Sequence, residues 1–370
     1  MRSTKGRETK ELVEELSRKL VGQPAALQEI VPYIEVAQAG LAPEGRPAGI
    51  FLLLGPTGTG KTRTVEVLAG ALHGSERRYL RIDCGEFQME HEVAKLIGAP
   101  PGYLGHRETQ PAITQQKLNA VTTEGCDLPI VLFDEIEKAA PSLIRLLLGV
   151  LDRGTLRLGD NSPVLFEKCL IFMTSNLGAK EMMRELHPAF GFASGSEPAS
   201  ADLADRIERV GMAAVRRKFP PEFVNRIDVV ITYKPLDSAA LDSILDQQVH
   251  DLERHVEKRL ESGAFLLDLD AASRAFLLAE GTSSAYGARE LKRVVHRHLT
   301  QPIATRLARG EIGRGGLVHV TMDPGGSRLS FRSDPPAEPY AAPLAMAAAA
   351  QGTHVPDAPK PAESGKTRAV

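Results

Sequence analysis

The chain has 370 residues, 42% of them hydrophobic, which is enough for about two domains with separate cores. Its 45 lysine and arginine residues nearly balance 47 aspartate and glutamate residues, so no overall basic field favours nucleic acid or an anionic membrane as partner. Cys84, Cys126 and Cys169 form no CxxC pair, which indicates buried reduced thiols rather than a zinc module or disulfides. The N-terminus runs into a charged segment and no stretch has the length of a membrane span, so we expect a cytoplasmic protein.

Short apolar runs alternate with helical segments up to about residue 240. The runs are IFLLL (50–54), YLRID (79–83), IVLFD (130–134), CLIFMT (169–174) and VVIT (229–232). Such runs are typical of strands buried on both faces of a parallel sheet. Apolar residues with the i, i+3, i+4, i+7 spacing of one helix face occur twice, at Val65, Leu68, Ala69 and Leu72, and at Leu143, Leu146, Leu147 and Val150. The alternation predicts an α/β fold, a parallel β-sheet flanked by helices. Pro32 interrupts an earlier helical pattern, where we expect a kink or a break.

The pattern changes at about residue 241, where a long amphipathic helix begins. Shorter helices are predicted near 271–280 and 287–309, and the runs LVHVTM and RLSFR around DPGGS predict a β-hairpin. We therefore predict a large domain over residues 1–240 and a smaller, mostly helical C-terminal domain over 241–333. Residues 334–370, rich in alanine and proline, are predicted to be a disordered tail.

The strongest chemical signal is GPTGTGKT, which directly follows the strand IFLLL and precedes a helix. Its residues are Gly55, Pro56, Thr57, Gly58, Thr59, Gly60, Lys61 and Thr62. The glycines let backbone N–H groups wrap a phosphate chain at a helix N-terminus, where Lys61 reaches the terminal phosphates and Thr62 offers a hydroxyl to Mg²⁺. The motif predicts binding of a nucleotide with Mg²⁺, and the family resemblance described below implies that this nucleotide is ATP.

Two further strands end in polar side chains. IVLFDEIEK places Asp134 where a carboxylate joins the metal shell, and Glu135 where a carboxylate orients and polarises a water for attack on the γ-phosphate. CLIFMTSN ends in Ser175 and Asn176. The Asn176 amide either positions the same water or belongs to an ordinary helix cap or turn.

The segment IGAPPGYLGH, residues 97–106, contains two prolines and three glycines around Tyr103. This composition excludes the interior of a regular helix or strand. The tyrosine ring is therefore either buried by another part of the fold or held out to contact a partner.

Taken in order, these motifs resemble the second ATPase ring of the two-ring Clp unfoldases and disaggregases of the AAA+ superfamily. The similarity runs from LVGQPAALQEI to YGARELKR, over roughly residues 10–325, and includes RIDCGEF, VLFDEIEKAAP, FMTSNLG and PPEFVNRIDVV. It implies a P-loop AAA+ large domain and a Clp-type small domain. No first ATPase module, coiled-coil insertion or N-terminal substrate domain is matched, so we expect a stand-alone module.

The resemblance also implies roles for single residues. Lys61, Thr62, Asp134 and Glu135 match the phosphate-binding, metal-binding and catalytic positions, and Asn176 matches the water-sensing residue called sensor 1. Arg289, in YGARELKR, matches sensor 2, which the small domain brings to the nucleotide. Val21 and Gly22, in LVGQ, match the segment that packs on adenine.

In FVNRID, Arg226 matches the arginine finger, which in this family reaches the nucleotide of a neighbouring subunit. A guanidinium suits that role because it spreads positive charge over a developing phosphoryl transition state. The alternative for Arg226 is a surface salt bridge to Asp228 or Glu222.

The loop Gly102, Tyr103, Leu104 and Gly105 resembles the family's channel loop, whose aromatic residue grips an extended polypeptide in the centre of a ring of six. The alternative is a tyrosine packed inside the fold. The following HRETQP departs from the family pattern, which leaves substrate preference open. Phe190, Gly191 and Phe192 resemble a loop that docks on a peptidase ring, or else form a surface loop that covers a helix end.

The resemblance implies an ATPase that, as a homo-hexamer, couples hydrolysis to unfolding and threading of unfolded or tagged polypeptides. One alternative is a nucleotide-switched scaffold for a dedicated partner, and another is the ATPase subunit of a Clp-like protease. A ring that moves on DNA or RNA is disfavoured, because phosphate tracking requires a basic channel and the loop carries an aromatic residue instead. We therefore expect neither nucleic acid nor a membrane as partner.

Overall fold

A computed structural model of the chain describes residues 9–98, 111–186, 200–260, 264–282, 287–312, 316–323 and 325–334. The described strands up to residue 232 are β1 (Gly49–Leu54), β2 (Leu80–Asp83), β3 (Ile130–Asp134), β4 (Thr155–Arg157), β5 (Pro163–Leu165), β6 (Leu170–Ser175) and β7 (Val229–Thr232). Five of them form a parallel sheet in the order β2-β3-β6-β1-β7, and β4 and β5 pair antiparallel. The predicted parallel sheet and its five strands are confirmed.

Helices surround this sheet. They are α1 (Thr9–Lys19), α2 (Pro24–Gln38), α3 (Lys61–His73), α4 (Val93–Ile97), α5 (Gln115–Ala120), α6 (Pro141–Arg153), α7 (Ala179–Leu186), α8 (Ser200–Lys218) and α9 (Pro221–Val224). Glycines at the left-handed C-caps end α3 at Gly74 and α6 at Gly154, because glycine adopts a positive φ without steric cost. The α/β class predicted from the alternation is confirmed.

The sheet is covered by apolar side chains on both faces. Every residue of β1 is buried, with Ile50, Leu52 and Leu54 in one core cluster and Phe51 and Leu53 in the other. Successive side chains of a strand point to opposite faces, so a strand covered on both sides must be apolar throughout. Burial of each such side chain contributes roughly 1.5–3 kcal/mol.

The strands end in register at one edge of the sheet. Leu54 pairs with Ser175 on β6 and with Thr232 on β7, while Asp83 pairs with Asp134. Ligands of open α/β sheets bind outside the carboxyl ends of the strands. This edge therefore gathers the polar residues that follow each strand.

The helix α2 continues through Pro32 from Pro24 to Gln38, so the predicted break is wrong, while the alternative of a kink stays a prediction. The proline ring removes one N–H donor, but Ile30, Val31 and Ile34 on either side of it are fully buried and hold both halves of the helix on the core. Tertiary packing outweighs the local penalty of the proline.

The rest of the described chain contains α10 (Ser238–Leu260), α11 (Ala271–Gly281), α12 (Ala288–Val295) and α13 (Gln301–Ala308), together with β8 (Leu266–Leu269), β9 (Leu317–Met322) and β10 (Leu329–Asp334). A π-helical turn at His296–Thr300 joins α12 to α13. The antiparallel pairing of β9 with β10 confirms the predicted hairpin. β8 pairs parallel with β9 and was not predicted, because its four residues LLDL are too short to show a strand period.

Contacts divide the chain into two compact units, Met1–Gln248 with Arg274–Leu299, and Val249–Ser273 with Thr300–Val370. The predicted boundary at residue 240 stays a prediction, and residues 335–370 of the predicted tail lie outside the described residues. All three cysteines are free and buried. Among the described residues, no helix combines the length and the apolar composition needed to cross a membrane.

Candidate nucleotide-binding and hydrolysis site

The glycine-rich segment forms a turn between β1 and α3 whose backbone only glycine adopts readily. Gly55, Gly58 and Gly60 have φ angles of 146°, 79° and 105°. A Cβ atom on Gly55 would lie 2.6 Å from the carbonyl oxygen of Tyr233, so a side chain there would displace the backbone. Because α3 begins at Lys61, the unpaired N–H groups of its first turn and its positive dipole end adjoin this turn. The arrangement suits an anionic phosphate chain.

Lys61 lies inside the turn with 8% of its surface exposed. Its Nζ donates to the carbonyl oxygens of Gly55 (2.7 Å) and Pro56 (2.8 Å) and to Asn176 Oδ1 (3.0 Å). Burial lowers the pKa of Lys61 to about 8, while Glu137 and Asp134 oppose that shift. The hydrogen-bond acceptors of Lys61 Nζ are uncharged carbonyl and amide oxygens. A negatively charged phosphate oxygen that replaces one of them forms a stronger hydrogen bond with the ammonium group.

The two predicted acids follow β3 and have different surroundings. Asp134 is buried, and its carboxylate accepts from the Thr174 hydroxyl and from Arg81 Nη2 (2.5 Å). Glu135 adopts a left-handed φ of 56°, and its backbone N–H donates to Thr174 Oγ1 (2.9 Å). Its carboxylate pairs with Lys138 at 2.5 Å. A left-handed non-glycine residue directly after a buried strand marks stored strain of the kind found at functional sites.

The donor set fits a magnesium ion. Thr62 lies in the first turn of α3 and Asp134 at the carboxyl end of β3, and both offer hard oxygen ligands. Mg²⁺ takes one or two such ligands and completes its octahedron with water and substrate phosphates. Within the described ranges, no cluster of three or more His, Cys, Asp or Glu side chains is placed to hold a metal.

Asn176 directs its side chain to the phosphate-binding turn. Its Oδ1 accepts from Lys61 and, at 3.5 Å, from the Thr57 hydroxyl. The neighbouring Ser175 hydroxyl accepts from the N–H of Leu177 at 3.2 Å, so Ser175 takes the turn role that the sequence left open. Asn176 also accepts from Ala179 N–H through its own carbonyl. The Asn176 side chain thus lies at the phosphate-binding turn, while its role in positioning a water stays a prediction.

The segment that carries Arg289 lies against the same turn, within the first compact unit. The N–H of Ala288 donates to the carbonyl of Gly58 at 3.1 Å, and a Cβ on Gly287 would lie 2.8 Å from that oxygen. Arg289 contributes to the lowered pKa of Lys61, as a nearby positive charge does. The structure thus brings the Arg289 segment to the predicted phosphate site.

The predicted adenine segment, Val21 and Gly22, directly precedes a residue that contacts the same turn. Gly22 has a φ of 78°, and a Cβ there would lie 2.8 Å from Leu236 Cδ2. Val21 directly precedes it and is partly buried. The adjacent Gln23 donates from Nε2 to Thr59 O (3.2 Å) and to Lys234 O (2.8 Å), and so ties this segment to the phosphate-binding turn.

Comparison with known proteins identifies the family to which this fold belongs. Residues 46–230 match the family model described as AAA domain (Cdc48 subfamily), and residues 236–320 match the C-terminal, D2-small domain, of ClpB protein. The chain belongs to the AAA domain family. The predicted resemblance to Clp-type AAA+ modules is confirmed.

Similar AAA+ proteins include the chaperone protein ClpB of Rhodopseudomonas palustris, 39% identical over 326 residues, which are 87% of this chain and 34% of ClpB. ClpB of Meiothermus ruber is 37% identical over 88% of this chain and 35% of its own length. A structure titled S. cerevisiae Hsp104:casein complex, Extended Conformation superposes with a TM-score of 0.74 at 28% identity, over 89% of this chain and 53% of that one. The chain thus spans about a third of the length of the ClpB relatives it matches.

Arg226 of this AAA+ module lies between α6 and α9. Its Nη1 donates to the carbonyl of Glu222 at 2.6 Å, and its Nε lies 3.4 Å from Asp152. Asp228 pairs instead with Arg46 at 2.5 Å. The salt bridge of Arg226 is therefore to Asp152 of α6 and not to Asp228 or Glu222, and among the described residues its buried Nε has no hydrogen-bond partner.

Four residues of the AAA+ site were not singled out from the sequence: Gln23, Arg81, Glu137 and Thr174. Each was inside a quoted motif but carried no spacing signal of its own. Arg81 and Thr174 belong to strands next to β3, so the parallel register of the sheet was the signal that places them beside Asp134. The predicted channel loop, Gly102 to Gly105, and the predicted docking residues Phe190, Gly191 and Phe192 lie outside the described residues.

Proposed function

We propose that this AAA+ module is an ATP-driven protein unfoldase or remodelling chaperone that works as a homo-hexamer and threads polypeptide through its central channel. The observation that carries the proposal is the superposition of 89% of the chain on Hsp104 in a structure titled as a complex with casein. The matched relatives are named chaperones. A second Hsp104 structure with a TM-score of 0.72 has a title that includes ATPyS and FITC casein.

The proposed chemistry is hydrolysis of ATP to ADP and phosphate. Lys61 exchanges its backbone carbonyl partners for phosphate oxygens, and Asn176, already in contact with Lys61, orients the attacking water. Thr62 and Asp134 would hold Mg²⁺, which neutralises charge on the β- and γ-phosphates. Before the Asp134 carboxylate can hold Mg²⁺, its hydrogen bond with Arg81 has to break.

Glu135 acts as the general base that takes a proton from the attacking water. Its present pairing with Lys138 holds the carboxylate in an ion pair, which must open before the carboxylate accepts that proton. Arg226, supplied from a neighbouring protomer, would stabilise charge on the transferring phosphoryl group. Arg289 would couple the nucleotide to the segment that begins at Gly287, because that segment already contacts the phosphate-binding turn.

Tyr103 is proposed to grip the substrate, since an aromatic ring contacts apolar groups and backbone of any sequence. The test uses Tyr103→Ala and a tagged, stably folded fluorescent protein as substrate. We expect ATP-dependent loss of fluorescence to disappear while ATPase activity stays within about twofold of the unaltered protein, because none of the proposed phosphate-binding or catalytic residues belongs to this loop. Glu135→Gln serves as the control that loses both activities.

Unfolding activity that survives Tyr103→Ala would contradict threading by this loop. If no folded substrate loses fluorescence while a stoichiometric partner assembles only with ATP, the nucleotide-switched scaffold is correct instead. A role as the ATPase subunit of a Clp-like protease requires a peptidase ring, with Phe190, Gly191 and Phe192 as the proposed contact. Degradation of the substrate on addition of such a ring, lost in Phe190→Ala, separates that alternative from unfolding alone.

A further inference from the structure

Glu137 lies in the short 3₁₀ turn Ile136–Lys138 directly after the two predicted acids. Its Oε1 accepts the backbone N–H of Asn176 at 3.0 Å, although the two residues are 39 positions apart. β3 and β6 are neighbouring parallel strands whose register reaches Phe133 and Met173. After that point β3 turns away at the left-handed Glu135, so the Asn176 N–H has lost its strand partner and the Glu137 carboxylate takes its place.

This contact continues into the phosphate site. The same asparagine accepts from Lys61 through Oδ1, and Lys61 donates to the carbonyls of Gly55 and Pro56. Glu137 therefore stands at one end of a line of hydrogen bonds that ends on the phosphate-binding turn. It fixes the backbone of Asn176, while Lys61 contacts the side chain of the same residue.

The second oxygen of Glu137 distinguishes this contact from an ordinary turn. Among the described residues, Glu137 Oε2 is one of a few side-chain atoms that are buried without a hydrogen-bond partner. Burial of a carboxylate oxygen without a hydrogen-bond partner costs free energy. The nearby positive charge is Lys61, whose pKa Glu137 raises more than any other carboxylate does.

We propose that Glu137 is a positioning residue of the ATPase site, which holds Asn176 through its backbone N–H so that the Asn176 amide meets the nucleotide at a fixed place. The inference rests on the ATPase activity proposed above. Glu137 itself is not placed in contact with the reacting atoms; it acts through Asn176.

Two substitutions separate the hydrogen bond from the charge. Glu137→Ala removes the acceptor, whereas Glu137→Gln keeps an amide oxygen that accepts the same N–H. We expect Glu137→Ala to lower kcat about ten- to a hundredfold, since misplacement by about 1 Å has effects of that size, and Glu137→Gln to stay within about threefold. The KM for ATP and the Kd for Mg·ADP should change less than about threefold in both, because Lys61 and the turn remain.

The matched control is Glu90→Ala. Glu90 Oε1 also accepts a distant backbone N–H, that of Ser142 at 3.3 Å, but Glu90 pairs with Arg145 and has no hydrogen bond to Asn176 or Lys61 among the described contacts. Amide hydrogen exchange of the nucleotide-free proteins gives a readout independent of turnover. The Asn176 N–H should exchange faster in Glu137→Ala and remain protected in Glu137→Gln and Glu90→Ala.

The proposal is overturned if Glu137→Ala keeps kcat within twofold, if Glu137→Gln loses as much kcat as Glu137→Ala, or if kcat falls only together with nucleotide affinity or with Tm. An unaltered protein that hydrolyses no ATP would refute the proposed function instead. The hydrogen-exchange comparison still decides whether Glu137 holds Asn176 in that case, so the two failures are distinguishable.

Discussion

Lys61 shows how burial prepares a single side chain for its ligand. The lysine is almost fully buried, and its ammonium group is satisfied by two carbonyls of its own turn and by Asn176. Burial penalises the charged form, so its pKa falls to about 8 although Glu137 and Asp134 lie near. A phosphate chain adds negative charge at the same place and therefore favours the protonated lysine.

Binding of ADP should consequently be coupled to proton uptake above neutral pH. The free protein loses the Lys61 proton as pH rises through about 8, while the bound state retains it. We expect uptake to rise from about 0.2 proton per site at pH 7.5 to about 0.9 at pH 9. Titration calorimetry in buffers of different ionisation enthalpy measures this quantity.

The control for this titration is Lys61→Arg, whose guanidinium does not lose its proton in this range and which should show no rise in uptake. Equal uptake by the unaltered protein at both pH values would contradict the assignment of the coupling to Lys61.

At the scale of elements, the site is made where strand ends and helix starts meet. The parallel register brings Asp83, Asp134 and Ser175 to one edge of the sheet, and α3 presents its N-terminus there. The start of α12 closes on this edge through the Ala288 N–H and the Gly58 carbonyl. That contact leaves no room for a side chain at Gly287.

Gly287→Ala should therefore weaken nucleotide binding. A Cβ would lie 2.8 Å from Gly58 O, and Gly287 has a φ of 50°, so the start of α12 has to move away from the phosphate-binding turn. We expect the Kd for Mg·ADP to rise about tenfold or more, since displacement of a positioned group has effects of this size. Fluorescence titration with a labelled nucleotide gives the Kd.

Gly310→Ala is the matched control, because Gly310 has a φ of 71° and open space around its Cβ position. It imposes similar backbone strain without a clash at the site, and nucleotide affinity should stay unchanged. If both variants bind nucleotide as the unaltered protein does, the contact between α12 and the turn does not support the site.

At the scale of the whole molecule, the position of Arg226 leaves its proposed role to a neighbouring protomer. In the protomer, its guanidinium contacts Glu222 and Asp152 at the corner of α6 and α9. In the proposed ring of repeated heterologous contacts, this corner of one copy would lie beside the nucleotide site of the next. The hexamer is therefore tested by asking whether one copy completes the site of another.

Mixtures of Arg226→Ala and Glu135→Gln should recover ATPase activity that neither variant has alone. With equal amounts and random assortment, about a quarter of the interfaces combine an intact Glu135 with an intact Arg226 from the neighbour. The measured rate of the mixture should approach that fraction of the unaltered rate. A mixture as inactive as its components would contradict action between protomers, provided that light scattering shows mixed rings.

The sequence by itself determined the strands, the phosphate-binding turn and the order of the motifs. Buried parallel strands must be apolar on both faces, and a turn that wraps phosphate needs glycine at positive φ. Both features are therefore specified by the local sequence. Asn176 was a candidate from its position after a strand end, with a cap or turn as the alternative, whereas Arg289 was singled out only through resemblance to a family. Their contacts with the turn were not deducible from spacing.

Tertiary structure alone decided the contacts between segments far apart in the chain. The partnership of Glu137 with Asn176, of Thr174 with Asp134 and of Gln23 with Thr59 depends on strand register and on the approach of separate loops. The continuity of α2 through Pro32 likewise depends on packing against the sheet. Local propensity cannot specify such features, because their energy lies in burial and in hydrogen bonds that form only after the chain has folded.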